Sequence, residues 1–265
     1  MKKQQQKIVL ITGASSGIGL CTAKFLMQKG MKVYGVSRRT VNEGFENFCC
    51  DVNDFAKMKE IFEKIYQKEG RIDVLVNNAG FGIGGALESA SPENIYKLVD
   101  TNLSAVLTLS ALIMPYLKKS KGRLVNISSV GGVIPLPYQA CYSATKAGVE
   151  SASRALANEV KAHGVKVIAV LPGDTNTGFT KARVIEASKH DDKVKKVEEK
   201  TLKKIEKDEN SGKDPISVSK VIYKVIKMKR PPLRKSVGFL SKLEVFLVRI
   251  FPTRFVNFIV GKLYG

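Results

Sequence analysis

A doubly wound α/β fold, with helices on both faces of a seven-stranded and mainly parallel sheet, is predicted by three features of this sequence. Short runs of apolar residues alternate along the chain with longer segments whose apolar residues recur at helical spacing. The short runs are almost entirely apolar, which is typical of strands buried on both faces. A glycine-rich turn joins the first run to the first helical segment.

The spacing of apolar residues divides the chain into alternating strands and helices. Strands are predicted at residues 7–12, 32–37, 45–50, 72–77, 123–128 and 165–171, with a short last strand inside 231–238. Helices are predicted at residues 17–29, 55–68 and 138–163, and a long helical stretch opens at Ser91 and Pro92. Because no Gly/Ser-rich or Pro-rich linker interrupts the pattern, residues 1–265 are predicted to form one domain.

The composition excludes some classes of protein and points to an anionic partner. Of the 265 residues, 44% are hydrophobic and 26% charged, which argues against a collagen-like or wholly disordered chain. The net charge is +20, and half of it falls on residues 216–265, where eleven Lys and Arg accompany one acid, Glu244. The basic residues alternate with apolar ones and no nucleic-acid motif occurs, so we expect no nucleic acid partner.

The four cysteines favour a reducing compartment, and we expect a cytoplasmic protein. Cys49 and Cys50 are adjacent, while Cys21 and Cys141 are far away in sequence, so we expect neither a disulfide framework nor a bound metal. The apolar run at residues 8–11 is too short for a signal peptide. No stretch of 18 uncharged apolar residues occurs, so we expect no membrane-spanning helix.

Residues 12–19, Thr-Gly-Ala-Ser-Ser-Gly-Ile-Gly, connect the first predicted strand to the first predicted helix. Glycines here permit a tight turn, a close approach of the backbone to a pyrophosphate, and close packing of the helix on the sheet. The first helical turn also offers free N–H groups to an anion. We therefore predict a dinucleotide-binding Rossmann fold that binds its coenzyme through Gly13, Ser15, Ser16, Gly17, Ile18 and Gly19.

The end of the second predicted strand indicates which coenzyme is bound. Ser37 is followed there by Arg38 and Arg39, at the position that faces the adenosine ribose in a dinucleotide-binding fold. An acidic residue, which would repel a 2′-phosphate, is absent. Guanidinium groups fit phosphate oxygens, so we predict NADP(H) rather than NAD(H). The alternative is an ordinary surface pair of arginines.

Three further motifs follow in order along the chain. Residues 77–80 (Asn-Asn-Ala-Gly) close the fourth predicted strand and residues 126–129 (Asn-Ile-Ser-Ser) close the fifth. Residues 142–146 (Tyr-Ser-Ala-Thr-Lys) open the next helix. Together with the glycine loop, this ordered set resembles the short-chain dehydrogenase/reductase family over residues 5–178.

Tyr142 and Lys146 are four residues apart and so share one helix face. A nearby ammonium favours phenolate, so we expect Lys146 to lower the pKa of Tyr142 from about 10 toward the working pH. Tyr142 would then protonate a carbonyl oxygen, or take a hydroxyl proton, while hydride passes to or from the nicotinamide. Without the other motifs, a packed pair with no chemical role would be the simpler interpretation.

The family resemblance implies roles for the other site residues. Ser129 would hydrogen-bond the substrate oxygen, Lys146 would also hold the nicotinamide ribose, and Asn102 would hold a water in a proton relay to Lys146. The resemblance also assigns coenzyme contacts to Asp51, Val52, Asn78, Ala79, Gly80, Pro172, Gly173, Thr175 and Thr177. Asp174 is less usual inside the last of these segments.

Two segments stand outside the motifs. Residues 177–214 are dominated by Lys and Glu, which predicts either a solvated helical hairpin or a mobile substrate lid. Residues 239–265 form an amphipathic extension in which five phenylalanines lie between residues 239 and 258. This extension fits a packed helical end on the core or on a second subunit, an apolar wall over the substrate, or a helix on a membrane surface.

The sequence therefore predicts an NADP(H)-dependent oxidoreductase that interconverts a secondary alcohol and a ketone on a bulky hydrophobic substrate. The C-terminal extension resembles the branch with 17β-hydroxysteroid dehydrogenases and acyl-dihydroxyacetone-phosphate reductases, which implies a hydroxysteroid or bile acid as first choice. The alternatives are an acyl-lipid ketone, either an acyl-dihydroxyacetone phosphate or a 3-oxoacyl group, and a non-catalytic dinucleotide-binding module. We also expect a homodimer or homotetramer, with peripheral membrane contact through the basic C-terminus.

Overall fold

The apolar runs of the sequence are strands in the computed structural model, which describes residues 6–186, 189 and 191–265. The strands are β1 (Ile8–Thr12), β2 (Lys32–Ser37), β3 (Glu46–Cys49), β4 (Val74–Asn77), β5 (Ile83–Gly84), β6 (Arg123–Ile127), β7 (Lys166–Leu171), β8 (Val184–Ile185) and β9 (Arg234–Ser236). The α-helices are α1 (Gly17–Gln28), α2 (Phe55–Glu69), α3 (Pro92–Val99), α4 (Ala105–Ser120), α5 (Ala140–Glu159), α6 (Asp192–Asn210), α7 (Ile216–Lys227), α8 (Phe239–Ile250) and α9 (Thr253–Tyr264).

Seven of the strands form one parallel sheet in the order β3-β2-β1-β4-β6-β7-β9. The strand order reverses between β1 and β4, and ligands of such sheets bind in the crevice outside the carboxyl ends at this point. β5 and β8 form a separate parallel pair, with Ile83 opposite Val184. The predicted sheet is confirmed, and the short final strand β9 lies where the sequence indicated it.

Alternate side chains of β1 are buried against helical layers on opposite faces of the sheet. Ile8 and Leu10 belong to a core shared with α2, α4 and α5. Val9 and Ile11 belong to a second core on the opposite face, shared with α1 and α7. Burial of each such side chain stabilises the fold by about 1.5–3 kcal/mol, so the sheet and the positions of its carboxyl ends are well anchored.

Two helices differ from the sequence prediction. α5 begins at Ala140 rather than at residue 138, because the backbone of Tyr138 has a φ of 61°, in the left-handed region that a helix does not contain. The long helix that opens at Pro92 contains one π-helical turn, Asp100–Ser104, between α3 and α4. Such turns occur often at functional sites, and this one carries Asn102.

The continuous helix from Pro92 to Ser120 is the one helix among the described residues that is long and apolar enough to cross a membrane. Its most apolar 18-residue window has a mean hydropathy of 1.4, and 44% of that window is buried within the fold. Leu109 and Ile113 on α4 lie in the first core. A core helix passes the same test of length and composition, so this is weak evidence for a membrane span.

The segment 177–214 contains one described helix, α6, and not the helical hairpin that its charge pattern favoured, so that expectation was wrong. The residues before α6 are tied down by pairing of β8 with β5 and by an ion pair between Arg183 and Glu209. Ala187, Ser188 and His190, which the predicted lid also includes, lie outside the described residues. The amphipathic extension consists of α8 and α9.

Candidate active site at the carboxyl ends of the strands

The glycine loop adopts a backbone that larger residues resist. Gly13 has a φ of +68° and Gly17 a φ of +52°, both in the left-handed region. A Cβ on Gly19 would lie 2.2 Å from the carbonyl oxygen of Gly13, so only glycine lets α1 approach the turn this closely. Ser16 precedes the first residue of α1, and its side chain makes no capping hydrogen bond there. The N–H groups of the first turn therefore face the crevice without a capping side chain.

The ends of β1 and β4 are tied together by polar groups. The hydroxyl oxygen of Thr12 accepts hydrogen bonds from the backbone N–H groups of Asn78 (3.0 Å) and Ala79 (3.1 Å). The side-chain amide of Asn78 donates to the carbonyl oxygen of Thr12 at 2.9 Å. The structure thus places residues 78–80 directly beside the glycine loop, where the sequence predicted one wall of the coenzyme site.

Arg38 and Arg39 follow β2 and are both exposed. Among the residues that the structure describes, neither guanidinium has a carboxylate partner, so both are available to an anion. Their backbone is held in place, because the carbonyl oxygen of Arg39 accepts a hydrogen bond from the Ser37 hydroxyl at 2.7 Å. Beyond β3, the carboxylate of Asp51 accepts from the backbone N–H of Asn53, while Val52 is buried.

Tyr142 and Ser129 meet where β6 ends and α5 begins. A Cβ placed on Gly131 would lie 3.4 Å from the Ser129 hydroxyl oxygen and 3.7 Å from the Tyr142 ring. The Ser129 hydroxyl accepts a hydrogen bond from the Gly131 backbone at 3.0 Å. The Lys146 ammonium nitrogen lies 5.7 Å from the centre of the Tyr142 ring and donates to the carbonyl oxygen of Ile127 at 3.0 Å.

Asn102 reaches the same place from the π-helical turn. It is fully buried; its carboxamide oxygen accepts from the Phe81 backbone N–H at 3.0 Å, and its amide donates to the Phe81 carbonyl at 2.8 Å. A Cβ on Gly80 would lie 2.9 Å from the Asn102 oxygen and 3.6 Å from the Lys146 nitrogen. The structure therefore brings Asn102, Ser129, Tyr142 and Lys146 together at one edge of the sheet.

The expectation that Lys146 lowers the pKa of Tyr142 was wrong for this structure. Burial raises the pKa of the Tyr142 phenol to about 12, although a hydrogen bond with the Ser129 side chain opposes the shift. Burial also lowers the pKa of Lys146 to about 8. The two shifts have one cause, because a water-poor site disfavours both charged forms, and the Lys146 ammonium points at a carbonyl oxygen rather than at the phenol.

Residues 172–177 follow β7 and complete the crevice. The Pro172 carbonyl accepts from the backbone of Val130 at 2.9 Å, and the Thr175 hydroxyl donates to the Gly173 carbonyl at 2.9 Å. A Cβ on Gly17 would lie 3.4 Å from the Cβ of Thr177, so this segment meets the glycine loop. Burial and the nearby carboxylates of Glu209, Asp208 and Glu244 raise the pKa of Asp174 to about 6.

Sequence reasoning missed the side chains that cover this site. The ring of Phe179 packs against Tyr142, with 5.7 Å between ring centres. The segment that carries Phe179 is fastened by Glu209, whose carboxylate accepts from the Thr180 hydroxyl at 2.6 Å and pairs with Arg183. These partners are 26 and 29 residues apart in sequence, and no local spacing rule links them.

These residues fit a nicotinamide dinucleotide. A cradle of glycines that a Cβ would fill lies at the N-terminus of α1, which suits a pyrophosphate. Exposed guanidiniums stand at the end of β2, and a half-buried tyrosine, a buried lysine and a buried asparagine lie across the switch point of the sheet. Such a coenzyme would supply hydride, while the protein would supply a proton and the geometry of the reacting groups.

Comparisons with known proteins agree with this geometry. The family model described as short chain dehydrogenase matches residues 7–187. The chain is 43% identical to the 3-ketodihydrosphingosine reductase of Bacteroides thetaiotaomicron over 238 residues, which is 88% of each chain. It is 36% identical to the 3-oxoacyl-(acyl-carrier-protein) reductase FabG of Thermotoga maritima over 187 residues, 66% of this chain and 76% of that one.

The fold is also similar to solved structures. A short-chain dehydrogenase from Streptomyces avermitilis superposes with a TM-score of 0.81 over 92% of both chains, at 28% identity. The match to the family model, the relatives and the arrangement of the sheet agree. This chain belongs to the short-chain dehydrogenase/reductase family and is an oxidoreductase that acts on the ketone and CH–OH groups of its substrates.

Proposed function

We propose that this enzyme uses NADPH to reduce the ketone of a long-chain lipid, a 3-keto sphingoid base or a related 3-oxoacyl lipid, to a secondary alcohol. The observation that carries the proposal is the half-buried pair of Tyr142 and Ser129 at the carboxyl edge of the sheet, beside the glycine cradle. In the reaction, the ketone carbon gains hydride and the ketone oxygen gains a proton.

The proton is assigned to Tyr142. Its phenol is protonated at neutral pH, since the ordinary pKa of a tyrosine is about 10 and burial raises the pKa of Tyr142 further, to about 12. The Ser129 hydroxyl donates a hydrogen bond to the ketone oxygen and stabilises the negative charge that grows there, while Tyr142 transfers its proton to that oxygen. The phenol is then reprotonated from the side of Lys146 and Asn102, which both line the space around Gly80.

Reduction requires Tyr142 as a protonated acid, and the raised pKa of its phenol suits that role. The Lys146 ammonium, with its pKa lowered to about 8, is still mostly charged at neutral pH and binds the nicotinamide ribose.

NADP(H) is the proposed coenzyme. Support comes from Arg38 and Arg39, two exposed guanidiniums at the end of β2, without a carboxylate at the position that would repel a 2′-phosphate. The proposed contacts of the remaining coenzyme are those of the glycine loop, Asp51, Val52, residues 78–80 and the segment 172–177.

Support for the substrate class comes from the share of this chain that each group of relatives covers. The match to the 3-ketodihydrosphingosine reductase covers 88% of this chain and so includes most of residues 177–265, the parts outside the coenzyme motifs. The matches to 3-oxoacyl-(acyl-carrier-protein) reductases cover 66%. The comparisons thus support the acyl-lipid alternative rather than a hydroxysteroid or bile acid specifically.

We also propose that residues 177–214 act as a lid over the substrate within a single domain. Phe179, near the start of this segment, packs on the ring of Tyr142, so the segment lies next to the proposed proton donor. All four cysteines are free, in keeping with a cytoplasmic enzyme. A homodimer or homotetramer is also proposed.

A substrate panel tests the proposed function. NADPH consumption is measured with a 3-keto sphingoid base, a 3-oxoacyl thioester, a keto-steroid, a keto bile acid and a small ketone. We expect the highest kcat/KM with the long-chain ketones, and a higher kcat/KM with NADPH than with NADH. Faster turnover of the steroid or the small ketone would overturn the proposed substrate class.

A further inference from the structure

The C-terminal helices α8 and α9 expose an unusual number of large apolar side chains. Eleven such side chains are exposed between residues 239 and 263, against eight in the rest of the described chain. We call this surface the C-terminal apolar face. It consists of Phe239, Leu240, Leu243, Phe246, Leu247, Ile250, Phe251, Phe255, Phe258, Ile259 and Leu263.

The apolar face is continuous across both helices. On α8 its members recur at spacings of three and four residues and therefore share one side, while Ser241 and Val245 are buried on the other side. No residue of α9 is buried. The rings of Phe251 and Phe255 touch at the corner between the helices, with 5.2 Å between their centres.

Contact with water alone does not explain why these two helices expose so many apolar side chains. The stability of a helix in a protein comes mostly from burying its apolar side, and the two C-terminal helices bury only two residues between them. Exposed apolar patches edged by polar residues mark surfaces that bind a protein or a membrane.

The charge around the face identifies the partner. Lys242, Arg249, Arg254 and Lys262 are all exposed. The one acid of the two helices, Glu244, is half-buried on the inner side of α8. A second copy of the chain would bring the same positive charges against these, so the charge opposes self-association and favours an anionic partner.

We propose that α8 and α9 form an interfacial anchor that lays the C-terminal apolar face in the surface of an anionic lipid bilayer. Each helix has 12 residues and is about 18 Å long, which is too short to cross a hydrocarbon core of about 30 Å. Pro252 separates the helices and keeps them from forming one longer span. They therefore lie in the plane of the membrane, with the cations at the headgroups.

The anchor adjoins the active site. Val245 of α8 packs with Leu171 at the end of β7 and with Val130 beyond β6. At the other end, the Tyr264 hydroxyl of α9 donates to Asp208 on α6 at 3.0 Å, and Lys204 of α6 donates to the carbonyl of Leu263. If the proposed function holds, the anchor brings the lid and the crevice to the layer in which a long-chain substrate is dissolved.

The chain contains no tryptophan, so a single introduced tryptophan reports on its own surroundings. Phe246→Trp and Phe258→Trp are mixed with vesicles of phosphatidylcholine alone or with 30 mol% phosphatidylglycerol, about the charge density of an anionic membrane surface. We expect a blue-shifted emission, quenched by brominated lipid, only with the anionic vesicles. Tyr96→Trp, an exposed position on α3, is the matched control and should not shift.

A charge variant tests the role of the exposed cations in binding to anionic lipid. Each cation near an anionic surface strengthens binding about fivefold, so Lys242→Glu with Arg249→Glu should weaken co-sedimentation with anionic vesicles more than tenfold. The exposed pair Lys118→Glu with Lys161→Glu is the control for net charge. Circular dichroism and NADPH binding show whether each variant is folded, and neither readout requires the proposed substrate.

Three results would overturn the proposal. One is equal binding to phosphatidylcholine vesicles, which would remove the role of charge. Another is the absence of vesicle binding by the folded wild-type chain. The third is a blue shift of the Phe246→Trp emission that needs only higher protein concentration, together with a larger sedimentation coefficient, because the face would then join two copies of the chain.

Discussion

The crevice at the carboxyl ends of the strands and the C-terminal apolar face differ in how their residues are held. In the crevice, Asn102 is fully buried and bonded on both sides of its carboxamide, and Gly19 leaves no room even for a methyl group. On the C-terminal apolar face, no residue of α9 is fully buried. Function at the crevice therefore depends on particular residues, whereas binding by the C-terminal apolar face depends on the sum of its apolar area and charge. Substitutions should have large effects at the crevice and small ones at the face.

The largest effect is expected at Tyr142. Tyr142→Phe removes the proton donor and little else, so kcat should fall at least a thousandfold, in line with the upper range for the loss of an acid catalyst. The Kd for NADPH, measured by fluorescence titration, should change less than threefold. The control is Tyr96→Phe, which removes the hydroxyl of an exposed tyrosine that is not among the proposed site residues. Retained turnover in Tyr142→Phe would remove this residue as the donor.

The next largest effect is expected in the glycine loop. The methyl group of Gly19→Ala would lie 2.2 Å from the Gly13 carbonyl oxygen, so the turn and the start of α1 must separate. We expect NADPH affinity to fall about a hundredfold, since the N–H groups no longer converge on the pyrophosphate. Gly261→Ala, where nothing lies within 4 Å of the new methyl group, is the matched control. An unchanged Kd in Gly19→Ala would contradict the loop's assigned role.

Arg38 tests the choice of coenzyme. Arg38→Asp replaces a phosphate-binding group with one that repels phosphate, and the ratio of kcat/KM for NADPH to that for NADH should fall at least tenfold. The same change at Lys161, an exposed cation after α5, should leave the ratio unaltered. If the ratio in Arg38→Asp matches that of the wild type, the arginine is an ordinary surface residue.

The lowered pKa of Lys146 predicts a pH dependence. Lysine is charged below its pKa, and burial lowers the pKa of Lys146 to about 8. The ammonium that we propose to bind the nicotinamide ribose is therefore lost as the pH rises through about 8, so kcat/KM for reduction should be flat below this point and decline above it. Arginine stays charged beyond a pH of about 12. In Lys146→Arg, whatever activity remains should show no decline between pH 7 and 10; a decline at the same pH would mean that another group titrates.

The smallest effect is expected on the C-terminal apolar face. Phe246 is 56% exposed, so Phe246→Ser should lower the free energy of unfolding by less than about 0.5 kcal/mol. Val170→Ala, in the second core and fully buried, should lower it by about 2 kcal/mol. Urea unfolding in the absence of lipid measures both. Equal losses would show that Phe246 packs against protein in solution.

The sequence predicts the sheet, the turn of the glycine loop and the proximity of Tyr142 to Lys146, because each is a local requirement. An uninterrupted apolar run, a glycine at a tight turn and a tyrosine one helical turn before a lysine are all visible at short spacing. Contacts between distant segments are not visible in this way. The packing of Phe179 on Tyr142 and the pairing of Arg183 with Glu209 depend on how residues 179–183 fold back on the crevice.

The pKa shifts of the site residues could not be predicted from the sequence either. The four-residue spacing of Tyr142 and Lys146 places both on one helix face, but it does not say where the ammonium points. In the structure this group donates to the Ile127 carbonyl, and burial raises the pKa of the Tyr142 phenol. The π-helical turn that carries Asn102 is likewise invisible in the spacing of apolar residues, because the helix continues on both sides of it.

The most direct test of the proposed function follows the hydride itself. The enzyme is incubated with a 3-keto sphingoid base and NADPH that carries deuterium at the transferable C4 position, and the product is examined by mass spectrometry. The account predicts a secondary alcohol with one deuterium on the carbinol carbon, formed at least a thousandfold more slowly by Tyr142→Phe. An enzyme that binds NADPH but forms no deuterated alcohol from any long-chain ketone would contradict it.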